Sequence, residues 1–216
     1  MGNRERSLVN EIYEAAVIPE RWPQVLDRIS TLAGSLGGFM IAVTPGSEYW
    51  MATERMRPTF EDWFAEGWQA QNIWAEKVIQ HNPVGFFDET DIFAPGETNT
   101  IPMYTDFVFP RGFGWSTTAH MQIPTGDRVD FRFDRRLQDG PMEMAERISL
   151  NHLRPHLARA AFLFTRLGIQ QARSMVEAFH DIDIPAAVLT NTGRLLACNA
   201  FMEARLSQLR VGSGGH

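Results

Sequence analysis

Two consecutive segments in the middle of the chain alternate between apolar and polar side chains, and this alternation constrains the fold more than any other feature. The apolar positions of residues 117–123 and 128–134 are Ala119, Met121, Ile123, Val129, Phe131 and Phe133. A period of two places such positions on one face of a strand. Pro124-Thr125-Gly126-Asp127 supplies the turn of a hairpin between them. The pattern predicts an antiparallel sheet that is covered on one face only.

The elements around this hairpin predict an α+β fold. Residues 39–43 form an unbroken apolar run, typical of a central strand, and residues 49–52 are its predicted hairpin partner. Apolar side chains at helical spacing predict helices over residues 7–18, 20–33, 59–80 (broken near Gly67) and 103–109. Strands mixed with helices in this order are typical of an antiparallel sheet flanked by helices.

Residues 81–102 show neither helical nor strand periodicity. Gly, Pro, Asn, Asp and Thr are frequent there, and four apolar side chains interrupt them: Phe86, Phe87, Ile92 and Phe93. This composition predicts a long loop with apolar anchors, which could serve as a lid over a binding site.

A long helix follows Gly140-Pro141. Its apolar seam, at spacings of three and four residues, consists of Leu150, Leu153, Leu157, Ala160, Phe164 and Leu167. Such a seam either packs against the chain's own sheet or forms a dimer interface. From the sequence pattern we favour the dimer interface. Pro155 predicts a kink or a helix junction. The helical pattern resumes over residues 169–179 and ends at Ile184-Pro185.

The last residues predict a strand, a turn, a second strand and a helix. The strands are residues 186–189 and 194–198, and Asn199 is the expected cap of the final helix. This unit is marginal alone and suggests the opening of a second domain that is cut short. We therefore divide the chain into a first domain (1–150), a long helix that we expect to dimerise (151–182) and a partial second domain (183–216).

Composition excludes several classes of function. The 216 residues carry a net charge of −6, whereas a duplex-binding domain usually presents a basic face. No apolar run approaches the roughly 18 residues that a membrane span requires. The polar start shows no secretory signal, so we predict a cytoplasmic protein without a membrane partner. Cys198 is the only cysteine, which excludes an internal disulfide and a multi-cysteine metal site.

The sequence offers weak signals for catalysis. His180-Asp181 resembles the pair of an HD phosphohydrolase, but the further His and Asp ligands are not found, so we interpret it as a surface helix end. We interpret His120 as an exposed strand residue and Cys198 as a buried, inert thiol. No nucleophile-elbow, zincin, P-loop or dinucleotide-binding motif occurs. We predict no enzyme, no cofactor and no metal.

Three segments resemble the sensory half of bacterial LuxR-type transcriptional regulators. They are Leu8-Val9-Asn10-Glu11-Ile12-Tyr13-Glu14-Ala15-Ala16 with Pro19-Glu20-Arg21-Trp22, Leu153-Arg154-Pro155-His156-Leu157-Ala158-Arg159-Ala160, and residues 186–195 followed by Asn199-Ala200. The resemblance implies a GAF-like sensor domain and a PAS-like segment, here only begun. It also implies a homodimer that contacts DNA through a helix-turn-helix domain absent from this chain.

An aromatic group supplies the candidate binding residues for a small apolar or aromatic effector. Its members are Trp50, Trp63, Trp68, Trp74, Tyr104, Phe107 and Trp115. Ligand pockets are largely apolar with a few polar groups, and indole and phenol side chains supply both. The same residues could instead form a fully packed core, in which case the chain would be a ligand-free protein–protein dimerisation module. A third hypothesis is an enzyme of the HD or GAF-linked nucleotide class.

Overall fold

The structure, a computed structural model, describes residues 3–44, 47–122, 128–189 and 195–212. The α-helices are α1 (Asn3–Val17), α2 (Trp22–Leu32), α3 (Arg57–Ala65), α4 (Ile73–His81), α5 (Glu89–Ile92), α6 (Met144–His180) and α7 (Ala200–Gly212). The strands are β1 (Gly37–Thr44), β2 (Ser47–Ala52), β3 (Phe86–Phe87), β4 (Phe113–Gln122), β5 (Arg128–Arg136), β6 (Ala187–Leu189) and β7 (Leu195–Cys198). A π-helix spans Met103–Val108. The predicted α+β class is confirmed.

Five strands form one antiparallel sheet in the order β2-β1-β5-β4-β3. The predicted pair of alternating strands forms its centre, with Met121 opposite Val129 and Ala119 opposite Phe131. The turn predicted between them, residues 124–127, lies outside the described residues.

One face of this sheet packs against α1, α2 and α6. Met40, Phe131 and Ala119 are cross-strand neighbours on this face, and all three are completely buried. Trp22 of α2 packs on Phe131, with their ring centroids 5.7 Å apart. The apolar positions of the alternating strands therefore line the main core, as their period predicts.

The opposite, polar face of the sheet is covered as well, so the prediction of one exposed face is wrong. The segment from α3 to α4 and the π-helix lie over it and bring the tryptophan-rich part of the chain onto the sheet. Gly67 separates α3 from the following turn in a left-handed conformation (φ 79°), close to the predicted break. Alternation shows which side chains share a face, but it does not show what packs against that face.

Residues 81–102 contain short regular elements, so the prediction of one long loop is wrong. Phe86 and Phe87 form β3 at the edge of the sheet, and α5 follows directly. Phe86 belongs to the main core, whereas Phe87, Ile92 and Phe93 belong to the aromatic cluster on the other face. A two-residue strand and a one-turn helix are too short to produce a periodic signal.

Helix α6 runs unbroken through Pro155, so the expected helix junction does not occur. Glu143 and Glu146 form a reciprocal capping box at its start. Proline removes one helical hydrogen bond. Burial of the neighbouring Leu153 and Leu157 in the main core offsets that loss.

The seam of α6 decides between the two interpretations of its leucines. Leu150, Leu153, Leu157 and Ala160 are buried against α1, α2 and the sheet of the same chain. Phe164 packs on Tyr49 of β2, at a centroid distance of 5.3 Å. Leu150, Leu153, Leu157 and Ala160 are therefore not available for a dimer interface, and that expectation is wrong for these four seam residues.

The last described residues form a separate two-stranded sheet, β6-β7, followed by α7. Asn199 caps α7, because its Oδ1 accepts a hydrogen bond from the Met202 backbone N–H at 3.1 Å, as predicted. Its Nδ2 donates to the carbonyls of Val176 at 3.2 Å and Ile184 at 2.8 Å, which fastens this unit to the end of α6. The turn at residues 190–194 lies outside the described residues. None of the described helices is long and apolar enough to cross a membrane.

Candidate ligand-binding cavity

A cavity of about 640 Å³ lies between the polar face of the sheet and the helical segments that cover it. This volume falls within the range of about 300–1,000 Å³ that is usual for small-molecule sites. Its aromatic walls come from β1, α3, α4, the π-helix and the start of β4: Phe39, Phe60, Trp63, Phe64, Trp74, Phe107 and Phe113. Its floor comes from the central strands: Thr118, His120, Arg128, Asp130, Arg132 and Asp134.

Strand register fixes the order of the floor. Arg132 of β5 pairs with Phe39 of β1 on one side and with Thr118 of β4 on the other. Asp130 is likewise opposite His120, and Asp134 is opposite Ser116. The floor is therefore a regular array of polar side chains, built by the same alternation that fills the core on the opposite face.

Arg132 is the central cation of this array. Its Nε donates to Asp134 Oδ1 at 2.9 Å, and its Nη2 donates to Ser116 Oγ. The guanidinium carbon lies 5.1 Å from the ring centroid of Trp74, a cation–π contact. Burial alone would lower the pKa of Arg132, but the nearby Asp134 and Glu89 outweigh it and raise that pKa. The guanidinium therefore stays charged inside the fold.

Glu89 of α5 lies behind Arg132 and is almost completely buried. Its carboxylate accepts hydrogen bonds from the Ser116 backbone N–H at 2.7 Å and the Ser116 hydroxyl at 2.8 Å. Tyr104 donates to it from its hydroxyl at 3.2 Å. Burial raises the pKa of Glu89 to about 7, although Arg132 acts in the opposite direction. This carboxyl group therefore changes its charge near neutral pH.

Tyr104 connects the buried carboxyl group to the aromatic wall. Its hydroxyl accepts a hydrogen bond from Trp74 Nε1 at 2.6 Å. Burial, and secondly the charge of Glu89, raise the pKa of Tyr104 well above its ordinary value. The phenol thus remains a neutral donor to Glu89, and the rings of Trp74 and Tyr104 are held in one orientation.

A second polar group lies one row farther along the floor. His120 Nδ1 is 2.7 Å from Asp130 Oδ1, and Arg128 Nε is 3.1 Å from Asp130 Oδ2. His120 lines the cavity and is about three-quarters buried, so its interpretation as a plain exposed residue is wrong.

The seven aromatic residues named from the sequence are only partly brought together. Trp63, Trp74 and Phe107 line the cavity. Tyr104 lies behind Trp74, and Trp68 packs on Phe107 at 5.7 Å between ring centroids.

The other two lie apart from the cavity lining. Trp50 packs on Phe60 at 4.8 Å between ring centroids, in a cluster with Phe39 and Phe64. Trp115 does not line the cavity, and its Nε1 donates to the Leu137 carbonyl at 3.1 Å.

Sequence reasoning missed the polar half of the site: Glu89, Ser116, Thr118, Asp130, Arg132 and Asp134. The signal was present, because the charged residues of β5 alternate without interruption from Arg128 to Asp134. Such a run usually marks a solvated face. Only the aromatic helices that precede β5 in the chain indicated that other elements could cover the polar face of the sheet.

Cys198 and His180, the sequence's weak candidates for chemistry, do not line this cavity. Among the described residues, no three His, Cys, Asp or Glu side chains are grouped as a metal site. Cys198 is partly exposed rather than buried, and burial together with Glu203 raises the pKa of its thiol. His180 is an exposed residue at the end of α6 and stacks on Phe201 at 4.9 Å.

The sequence matches no protein-family model and no curated protein. Solved structures do resemble the fold. The VqsR LBD domain from Pseudomonas aeruginosa superimposes with a TM-score of 0.55 at 15% identity, over 76% of this chain and 98% of that one. The N-acylhomoserine lactone dependent LuxR family transcription factor CepR2 from Burkholderia cenocepacia gives a TM-score of 0.54 at 13% identity, over 77% and 99%. The chain therefore shares the fold of these two proteins.

Proposed function

We propose that this chain is the sensory region of a LuxR-like transcriptional regulator and binds a small apolar or aromatic effector. The observation that carries the proposal is the cavity of about 640 Å³ between the polar sheet face and its largely aromatic cover. The shared fold supports it, since VqsR's structure is of its LBD domain and CepR2 is an N-acylhomoserine lactone dependent factor. CepR2 is a transcription factor, which favours a non-catalytic role for this chain.

The cavity also bears on the alternative of a ligand-free dimerisation module. That alternative requires a fully packed aromatic cluster, whereas Trp63, Trp74 and Phe107 border open volume. A concave, largely aromatic volume of this size is typical of a small-molecule site, which favours a ligand.

In this proposal the protein has two states, and the effector binds them with different affinity. Equal affinity would leave the populations of the two states unchanged. The long helix α6 would carry the change to a homodimer partner. Because the seam residues Leu150 to Ala160 pack in the chain's own core, pairing would use the second half of α6, where Leu163, Met175 and Phe179 are exposed. The net charge of −6 argues against duplex contacts by these residues themselves.

A cavity-filling variant tests the proposal. Ile41→Trp places an indole at a position on β1 that lines the cavity. In a metabolite screen by tryptophan fluorescence and thermal shift, we expect hits for the parent protein that weaken at least about tenfold in Ile41→Trp, because the ligand loses its volume.

Val84→Trp is the matched control, since Val84 is exposed and outside the cavity. It should bind every hit as the parent does. Hits that bind the parent and Ile41→Trp equally well would place the binding elsewhere and contradict the proposal.

A further inference from the structure

Arg132 and Thr118, on the cavity floor, have hydrogen-bond donors that the protein does not use. A guanidinium carries five N–H donors. Arg132 donates one to Asp134 and one to Ser116, and the other three find no acceptor among the described residues. The Thr118 hydroxyl is buried and has no hydrogen-bond partner in the described part of the chain. A buried donor left without a partner destabilises the fold, so a ligand that supplies an acceptor gains binding free energy.

These unused donors are neighbours. Thr118 is directly opposite Arg132 in the β4–β5 register, which places the two Cβ atoms about 5 Å apart. Both residues line the cavity, and 18% of the Arg132 side chain is accessible. A single group in the cavity can therefore accept hydrogen bonds from both side chains.

The chemistry of the donors indicates the acceptor. A planar guanidinium pairs with a carboxylate through parallel N–H···O bonds, which are roughly twice as strong as bonds between neutral groups. The covering wall also has polar side chains, but Phe60, Trp63 and Phe107 offer aromatic surface against which the apolar body of such a molecule can pack.

The site can also compensate for the negative charge of a bound carboxylate. Asp134 already balances Arg132, so a bound anion would leave one excess negative charge unless another group took up a proton. Glu89 is placed to do so, because it shares Ser116 with Arg132. Its pKa of about 7 means that protonation costs little free energy at neutral pH. The side chains that face it from other elements are Tyr104, Ser116 and Arg132.

We propose that the cavity binds an apolar or aromatic carboxylic acid whose carboxylate accepts hydrogen bonds from Arg132 and Thr118. The inference rests on the proposed sensory function and assigns the chemical class of its effector. Arg132 and Thr118 are then the residues that determine specificity.

Three probes that share a phenylalkyl chain and differ in their polar end group test this proposal. Their binding to the full chain is measured by isothermal titration calorimetry. They are 6-phenylhexanoate, 6-phenylhexanamide and 6-phenylhexylamine. We expect the carboxylate to bind at least about tenfold more tightly than the amide, because its bonds to Arg132 are charge-assisted. The amine should bind most weakly, because it would place a cation beside Arg132.

Two variants locate the contact. Thr118→Val keeps the shape of the side chain, removes a hydroxyl that has no protein partner and is expected to fold normally. It should lower the affinity for the carboxylate several-fold. Arg132→Lys keeps the charge but loses the planar fork, and it should remove most of the preference for the carboxylate over the amide.

Proton uptake gives an independent readout. Titrations near pH 7 in two buffers of different ionisation enthalpy should show that 6-phenylhexanoate binds with uptake of part of a proton, and that 6-phenylhexanamide does not. The uptake should disappear in Glu89→Gln.

The outcomes separate this inference from the proposed function. Equal affinity for the carboxylate and the amide, or unchanged carboxylate binding by both floor variants, would overturn the inference. So would the absence of binding by all three probes. None of these results removes the sensory function, which depends on the screen with Ile41→Trp.

Discussion

Glu89 shows at the scale of a single residue how the fold changes a carboxyl group. It follows Asp88, and the two side chains serve different sites. Glu89 faces Ser116 and Tyr104 beside the cavity. Asp88 caps α5 and binds Arg147 of α6. The backbone is extended at Asp88, and successive side chains of an extended backbone point to opposite sides.

Glu89 should make the stability of the protein depend on pH. Its pKa is raised from 4.5 to about 7 in the folded state. Between these values the folded state holds a proton that the unfolded state has released, so the free energy of unfolding falls as pH rises towards 7. The loss amounts to roughly 3 kcal/mol, at about 1.4 kcal/mol for each pKa unit. Glu89→Gln cannot ionise and should lose this part of the pH dependence.

Urea unfolding at about pH 5 and about pH 8 measures the effect, since the two values lie on either side of the transition. We expect the parent protein to lose more stability between them than Glu89→Gln does. Parallel behaviour of the two proteins would show that Glu89 does not ionise in this range.

At the scale of elements, the short segment from β3 to α5 joins the sheet to the long helix. Arg147 of α6 donates to Asp91 Oδ2 at 2.8 Å and to the buried carboxylate of Asp88. Asn151 Oδ1 accepts a hydrogen bond from the Phe86 backbone N–H at 2.9 Å. The first turns of α6 are therefore fixed to the edge of the sheet by specific polar contacts as well as by apolar packing.

Removing Arg147 should destabilise this junction. Arg147→Met keeps most of the side-chain volume but leaves the buried Asp88 carboxylate without its cation. Breaking one side of a buried pair costs about 3–5 kcal/mol. Urea unfolding monitored by circular dichroism measures the change.

Arg159→Met is the control, because Arg159 is an exposed residue of the same helix. It should change the stability by less than about 0.5 kcal/mol. Equal losses in the two variants would show that the Arg147 contacts add nothing specific.

At the scale of the whole molecule, the second half of α6 extends past the main core. Leu167, Gln170, Gln171, Ser174 and Met175 line a shallow groove on it. Met175 and Phe179, one helical turn apart, are both about half exposed. Neighbouring exposed apolar side chains of this kind are typical of an interaction surface.

If the protein pairs through this surface, Met175→Glu should shift the chain from dimer towards monomer, because it would bury a charge in the interface. Sedimentation equilibrium over a range of concentrations measures the mass. Arg173→Glu introduces the same residue at an exposed position on another side of the helix and should leave the dimer intact. A parent protein that is monomeric at every concentration would contradict the pairing.

Local patterns in the sequence were sufficient to predict most of the elements. The alternation of Val129, Phe131 and Phe133 predicted β5, and the spacing of the leucines predicted α6. Asn199 predicted the start of α7. These signals depend on the side-chain period of one element or on a cap within four residues, so they can be interpreted without knowledge of the partners.

Only the tertiary structure decided what covers each face and which residues form the site. The α6 seam is buried in its own core because α1 and α2 pack there. Thr118 and Arg132 are opposite each other in the predicted hairpin, whereas Glu89 reaches Ser116 from α5, 27 residues away in sequence. The aromatic helices turn a polar strand face into the floor of a cavity. The sequence determined the faces of its elements, whereas contacts across long sequence separations, which no local period encodes, determined the binding site.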